Sequence, residues 1–156
     1  MEISHHLHPY TLPLPTFTAH HPDCTTFIVG AYIFTPPPSP SPSTTPSSSP
    51  TNPHPQIQTL LLLRSPTDSY PLHWETPGGS SDPTDTTLLA SLAREVYEET
   101  GLTVTKVVEL VAVDAWSRMK AGREVRAMKW SFLVEVGDAL DGEGERRIKL
   151  APEEHC

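Results

Sequence analysis

The chain has 156 residues, a formal net charge of −8, 37% hydrophobic residues and 18 prolines. This length suits one domain rather than two, and the high proline and low apolar content indicate that part of the chain does not pack into a core. The negative charge argues against a nucleic acid polymer as partner, because such binding depends on clustered Lys and Arg.

The sequence shows no segment that predicts secretion or a membrane span. The N-terminus has no basic stretch followed by an apolar run, and nothing approaches the roughly 18 apolar residues that a span needs. The two cysteines, Cys24 and Cys156, have neither paired nor metal-type spacing, so a disulfide framework is not predicted. We therefore expect a cytoplasmic protein with free thiols and no membrane partner.

Residues 1–24 are rich in His and Pro and predict an irregular arm ahead of a domain that spans residues 25–156. The stretches "SHHLHP" and "AHHP" contain potential metal ligands, but they lack the i, i+4 spacing of a helical metal site. We expect the prolines to prevent a helix in this arm.

Two stretches of β-forming residues flank a Pro/Ser-rich segment. "TTFIVGAYIFT" (residues 25–35) predicts a strand, with Gly30 as a bulge or a point of close backbone approach. "QIQTLLLLRSP" predicts a second strand. The residues between them, 36–55, predict a disordered insertion that expands the turn of a hairpin at little entropic cost. A ligand for an SH3-like partner is a less favoured interpretation of this segment.

A helix is predicted from about Thr87 to Thr100, after the turn-rich loop "WETPGGSSDPTDTT". Apolar residues recur there at spacings of three and four, Asp85, Thr86 and Thr87 are candidate N-caps, and Gly101 occupies the position of a left-handed C-terminal cap. "VVELVAVDAW" and "MKWSFLVEV" then predict two strands joined by the basic turn "SRMKAGREVR". The order strand, strand, helix, strand, strand predicts an α+β or mixed α/β fold.

The predicted helix carries three carboxylates, Glu95, Glu98 and Glu99, within one arc of roughly 100°. Like charges at these spacings cost a few tenths of a kcal/mol each, and the C-terminal end of a helix disfavours anions further. A solvated surface is the ordinary interpretation of such a face, but uncompensated repulsion is also typical of a functional site. A hard divalent cation such as Mg²⁺ would resolve it, and Arg94 beside the cluster is placed to orient a carboxylate or contact a substrate.

A turn with the sequence "PGG" at residues 77–79 precedes the helix. Because glycine leaves the backbone open, Gly78 and Gly79 can approach a phosphate closely, and either can donate a carbonyl to a metal. The glycines and the acids together favour a phosphate-handling site over a solvated surface.

The stretch from Gly79 to Leu102 resembles the Nudix box, a glycine and a spaced acid followed by Arg-Glu-apolar-x-Glu-Glu-x-Gly-apolar. In this chain the box consists of Gly79, Asp85, Arg94, Glu95, Val96, Glu98, Glu99, Gly101 and Leu102. The chain departs from the family pattern in two ways. The family usually has Glu at the position of Asp85, and here eight residues separate this acid from Arg94, one more than usual.

The resemblance implies an α+β fold of the Nudix type, an α/β/α sandwich with a mixed sheet and the box helix. The family fold normally continues with a further strand and a closing helix, and we expect that closing helix to be absent, since the sequence ends at "PEEHC". The implied activity is hydrolysis of a phosphoanhydride bond in a nucleoside diphosphate linked to another group. It depends on Mg²⁺, with Mn²⁺ as the alternative ion, and the partner is a nucleotide-like small molecule.

The resemblance also assigns residues to roles. Glu95, Glu98 and Glu99 match the metal-binding glutamates and, with Arg94, form the catalytic set, while the Gly79 carbonyl is a further metal ligand and Gly78 and Gly79 contact substrate. The general base is sought first among the helix glutamates. Glu154 is a weaker candidate for the base, and Trp74 or Trp116 is a weaker candidate for a surface on which a nucleobase stacks. For each of these residues a structural role is favoured.

Two other interpretations stay open. One is a catalytically weak or inactive Nudix-fold module that binds nucleotide or regulates, which the Asp85 substitution, the extra residue and the short C-terminus favour. The other is a fragment that does not fold alone. The sequence specifies neither the oligomeric state nor which nucleoside diphosphate derivative is used.

Overall fold

The computed structural model describes residues 1–35, 57–67 and 71–137. Its elements are β1 (Glu2–Ile3), a 3₁₀ helix (His5–Thr11), α1 (Leu14–Ala19), β2 (Thr26–Thr35), β3 (Gln58–Thr59), β4 (Leu62–Leu63), β5 (Trp74–Glu75), α2 (Leu88–Thr100), β6 (Thr103–Lys120) and β7 (Arg123–Gly137). The predicted insertion, residues 36–55, the predicted C-terminal truncation of the fold and Glu154 all fall outside the described residues.

Five strands form one sheet in the order β1-β6-β7-β2-β3, and β4 pairs with β5 in a small separate hairpin. β2 runs parallel to β7 and β1 parallel to β6, whereas β6 and β7 are antiparallel. The sheet is therefore mixed, and the predicted α+β class is confirmed. Since β2 and β3 pair antiparallel through Phe34 and Thr59, the predicted hairpin across the Pro/Ser-rich segment is also confirmed.

The hydrophobic core lies between the helices and one face of the sheet. Val29, Ala31 and Ile33 alternate along β2 and are buried in one cluster with α2, because alternate side chains of a strand point to the same face. Phe132 of β7 is fully buried in the same cluster. No helix within the described ranges is long and apolar enough to span a membrane.

Helix α2 begins and ends where its sequence predicts. The Thr87 hydroxyl accepts a hydrogen bond from the Ala90 N–H at 3.0 Å, which satisfies one of the free donors at the helix start. Gly101 ends the helix with φ of 73°, a left-handed conformation that glycine adopts without strain. Leu89, Leu92 and other apolar residues at helical spacing are fully buried, so the predicted apolar face is the one that packs on the sheet.

The prediction of an irregular N-terminal arm without helix is wrong. Residues 1–24 contain β1, the 3₁₀ helix and α1, and Leu7, Leu14 and Phe17 are buried in the core cluster. Proline is tolerated in α1 because Pro13 and Pro15 lie at its start, where backbone N–H groups have no intrahelical acceptor anyway. The Phe17 ring packs edge-on against Trp130 at 5.2 Å. The burial of these side chains against the sheet outweighs the preference of the proline-rich sequence for irregular structure.

The predicted boundaries of two other regions are also corrected. The basic stretch "SRMKAGREVR" is mostly strand, and only Ala121 and Gly122 form the turn between β6 and β7. Their φ angles of 50° and 76° suit a tight turn whose twist matches that of the flanking strands. "QIQTLLLLRSP" contains the short strands β3 and β4 rather than one strand, and β5 was not predicted.

Candidate active site

The Gly-Gly turn runs antiparallel along the edge of β2. Val29 N–H donates to the Gly79 carbonyl at 2.9 Å, and Ala31 N–H donates to the Pro77 carbonyl at 2.8 Å. These two bonds place Gly78 directly opposite Gly30. Gly78 has φ of 150°, and a side chain there would collide with the Val29 carbonyl oxygen. The turn therefore needs glycine at this position to lie against the sheet.

Glu99 joins α2 to this turn. Its carboxylate is buried, with 4% of the residue exposed, and accepts a hydrogen bond from Gly78 N–H at 2.7 Å. A charged acceptor makes this a strong bond. Because the bond connects the last turn of the helix to the backbone of the Gly-Gly turn, it fixes the distance between the two elements.

Glu95 packs against the second glycine. A Cβ atom built on Gly79 would lie 2.5 Å from Glu95 Oε2, so the missing side chain of Gly79 makes the space that this carboxylate occupies. Two of the three predicted glutamates thus contact the two predicted glycines, Glu99 at Gly78 and Glu95 at Gly79.

Arg94 supplies positive charge among the acids. Its Nη1 donates to Glu95 at 2.9 Å and to Glu98 at 2.8 Å, so one nitrogen bridges two of the three helix carboxylates. The guanidinium pKa is raised above its usual value, chiefly by the hydrogen bonds to Asp85 and also by the nearby glutamates. The like-charge repulsion inferred from the sequence is therefore partly compensated within the helix itself.

Asp85 anchors the other side of the guanidinium. It accepts from Arg94 Nε at 3.0 Å and from Nη2 at 2.9 Å, the paired geometry that favours arginine over lysine. These bonds to Arg94 hold the pKa of the Asp85 carboxyl below its usual range. Asp85 also accepts from Asp82 N–H at 2.8 Å. The short acid and the extra residue thus still allow a paired contact with Arg94.

One further acceptor of Arg94 was not predicted. Nη2 also donates to the Ser80 carbonyl at 3.1 Å. Any residue can supply a backbone carbonyl, so the sequence carried no signal for this contact.

The predicted site residues come together in the structure. Arg94, Glu95, Glu98 and Glu99 lie along one side of α2, and all but Glu98 touch the turn formed by residues 77–80 or the acid that follows it. The Gly79 carbonyl, predicted as a metal ligand, already accepts from Val29, so one of its two lone pairs is engaged.

The tryptophans do not follow the favoured expectation. Trp74 is 66% exposed and Trp116 is 40% exposed, so neither lies in the core. Trp130, which packs against Phe17, is the buried tryptophan. A stacking role for Trp74 or Trp116 stays a prediction.

The donor chemistry of the site fits a hard cation. The helix carboxylates and the Gly79 carbonyl offer only oxygen, the ligand that Mg²⁺ prefers. As arranged, no group of three or more His, Cys, Asp or Glu side chains in the described part of the chain is placed to hold a metal ion. The positively charged Arg94 side chain, through its Nη1, lies between Glu95 and Glu98, where a metal ion would bind.

Comparison with known proteins agrees with this architecture. The family model for the NUDIX domain matches residues 50–155. The structure is similar to a MutT NUDIX hydrolase from Burkholderia pseudomallei, with 18% identity, a TM-score of 0.51 and coverage of 83% of this chain and 77% of that one. It is also similar to a MutT protein from Bacillus halodurans, with 22% identity, a TM-score of 0.50 and coverage of 83% and 65%.

Both structural similarities concern the fold, and a comparison with curated protein sequences finds no significant match. The family assignment depends on the domain model, which covers more than half of the chain and includes the whole box from Gly79 to Leu102. The chain therefore belongs to the NUDIX family.

Proposed function

We propose that the chain catalyses Mg²⁺-dependent hydrolysis of a phosphoanhydride bond in a nucleoside diphosphate linked to another group. The observation that carries this proposal is the convergence of the α2 acids on the Gly-Gly turn. Glu99 accepts from Gly78 N–H at 2.7 Å, and Glu95 lies against Gly79. The helix carboxylates therefore lie beside the Gly-Gly turn, where they can hold a cation that neutralises the charge of a substrate phosphate.

Glu95, Glu98 and Glu99 would hold Mg²⁺, with Mn²⁺ as the alternative ion and the second lone pair of the Gly79 carbonyl as a further donor. Bound there, the ion supplies charge neutralisation of the phosphates and lowers the pKa of a water molecule. Asp85 holds Arg94 through Nε and Nη2. Only the Nη1 contacts of Arg94 therefore have to change when Glu95 and Glu98 take up another cation.

The reaction requires a base that accepts a proton as water attacks phosphorus and the bond to the leaving phosphate oxygen breaks. Glu98 is the first choice among the helix glutamates. Its side chain is 55% exposed, whereas Glu99 is buried against Gly78. An exposed carboxylate can reach a water molecule at the mouth of the site.

The test is a panel of ADP-ribose, a dinucleoside tetraphosphate and a nucleoside triphosphate, assayed with and without Mg²⁺. Glu98→Gln keeps the size of the side chain and removes its charge, so we expect kcat to fall by roughly 100-fold to 10,000-fold. Glu124→Gln is the matched control, because Glu124 is an exposed acid near the tip of the β6–β7 hairpin. Equal rates for the parent and both variants contradict the assigned roles.

The alternative, a module that binds nucleotide without turnover, is favoured by one contact. Arg94 already neutralises Glu95 and Glu98, and an arginine that kept both carboxylates would leave the site unable to take up a cation. Calorimetry separates the two functions. Nucleotide binding without phosphate release from any panel member supports the alternative, and Mg²⁺-dependent release supports the hydrolase.

A further inference from the structure

Lys129 of β7 lies over Gly30 on the sheet face opposite α2. Its Cε would be 2.6 Å, and its Nζ 3.2 Å, from a Cβ atom built on Gly30. The neighbours of Gly30 in β2, Val29 and Ala31, point into the core beneath α2, so Gly30 and Lys129 belong to the other face. Because Gly30 lies opposite Gly78, the Lys129 side chain extends over the part of β2 that borders the Gly-Gly turn.

The Lys129 side chain turns away from the anion nearest to it in register. Asp114 lies directly across from Lys129 in the β6–β7 pair and is exposed, which is the position for a cross-strand ion pair. Within residues 1–35, 57–67 and 71–137, however, Lys129 has no ion pair and no hydrogen bond through its side chain. The Lys129 side chain extends instead towards β2, where Gly30 leaves room for it.

Lys129 differs from most other described cationic side chains, because those are paired with a carboxylate. Four described cations are each paired with a carboxylate, namely Arg64, Arg94, Lys106 and Arg126. Lys129 is partly buried, and within the described ranges its side chain contacts no carboxylate. A cation without an anionic partner beside a site that handles phosphate is available to bind an anionic ligand.

We propose that the Lys129 ammonium binds a phosphate oxygen of the substrate on the sheet face opposite α2. This inference rests on the proposed function and extends it. The acids of α2 approach the Gly78–Gly79 turn from one side, and Lys129 approaches it from the other. In a protein with a net charge of −8, a local cation is needed to attract an anionic substrate. Lys129 is a substrate-binding residue, and it takes no part in proton transfer.

The experiment measures ADP binding by calorimetry in metal-free buffer, and KM and kcat on the panel member that the parent hydrolyses best. For Lys129→Gln we expect ADP to bind roughly tenfold to 100-fold more weakly, the effect of one charge-assisted hydrogen bond. KM should rise by a similar factor while kcat stays close to that of the parent. Lys129→Arg should restore most of the affinity.

Two further variants separate this role from a general loss of charge. Arg123→Gln removes the same charge at the start of β7 by the hairpin turn, where Arg123 is exposed, and it should leave both ADP binding and KM unchanged. Gly30→Ala keeps Lys129 but occupies its space, so it should weaken ADP binding as Lys129→Gln does.

The outcomes distinguish this proposal from the proposed function. If Lys129→Gln binds ADP and hydrolyses substrate like the parent while Glu98→Gln is inactive, the role of Lys129 is wrong and the hydrolase stands. If Lys129→Gln weakens ADP binding in a protein that hydrolyses nothing, the anion site stands and the hydrolase is wrong. A parent that neither binds ADP nor hydrolyses any panel member overturns both.

Discussion

Replacing Asp85 with Asn should destabilise the folded protein, because Asp85, which precedes α2, is the acid that holds the Arg94 side chain in place. Its carboxylate accepts from Arg94 Nε and Nη2 at 3.0 and 2.9 Å, and the Asp85 side chain is only 8% exposed. Asn keeps the shape of Asp, but it presents one acceptor and one NH₂ group to a guanidinium that only donates. At least one of the two bonds is therefore lost.

The size of the effect follows from the number of bonds. A hydrogen bond to a charged group contributes about 1.5–3 kcal/mol. Arg94 is not left without an anion, since Glu95 and Glu98 still accept from its Nη1. We therefore expect a loss of about 2 kcal/mol in the free energy of unfolding. In a protein of this size that lowers Tm by about 4–8 °C.

The assay is a thermal melt followed by circular dichroism at pH 7. Asp23→Asn is the matched control, since Asp23 also faces an arginine but is 89% exposed and lies 3.8 Å from it. An exposed pair at this distance contributes little, so the Tm of the control should match that of the parent. A Tm for Asp85→Asn equal to that of Asp23→Asn would refute the anchoring role.

Three further changes test other parts of the structure. The parent should lose stability more steeply than Asp85→Asn as the pH falls below about 4. The folded-state pKa of Asp85 is depressed by Arg94, so the contribution of Asp85 to stability is present above the unfolded pKa and is lost as pH falls through the folded pKa. Parallel acid-denaturation curves for the parent and Asp85→Asn would contradict this. Gly78→Ala should lower the free energy of unfolding in urea by about 3 kcal/mol or more, because it combines a strained φ with a backbone clash. Gly122→Ala, where φ is 76° and the surrounding space is open, should lower it by about 1 kcal/mol. Equal losses would show that the contact at Gly78 is unimportant. Phe17→Ala should cost about 3–5 kcal/mol in the same assay, and an unchanged unfolding midpoint would mean that α1 does not pack on the core.

The sequence predicts α2 closely because all of its determinants are local. The spacing of apolar residues, the Thr87 cap and the Gly101 terminator lie within one stretch of chain. The gathering of Arg94, Glu95, Glu98 and Glu99 follows from helix geometry and the box. The pairing of Arg94 with Asp85 was not predicted, because Asp85 precedes the helix and its position depends on the turn that begins at Asp82.

Other parts of the fold depend on contacts between distant residues. The N-terminal helices contain Pro9 and Pro15, and Pro13 is the residue that precedes α1, so local propensity argues against helices in this segment. They form because Leu14 and Phe17 are buried in a core that includes Trp130 of β7, more than 100 residues later in the chain. Lys129 was missed for a related reason, since its position over Gly30 requires the parallel pairing of β2 with β7, which periodicity does not reveal.

The parallel pairing of β1 with β6, in which Glu2 meets Lys106, has a consequence for synthesis. Glu2 and Ile3 leave the ribosome long before β6, so they cannot take up their final places until β6 and its partner β7 have followed them. Pairings over such separations are slow to form, and until then the aromatic surface around Phe17 stays uncovered and open to aggregation. Newly made chains should thus be most vulnerable to misassembly before the β6–β7 hairpin emerges.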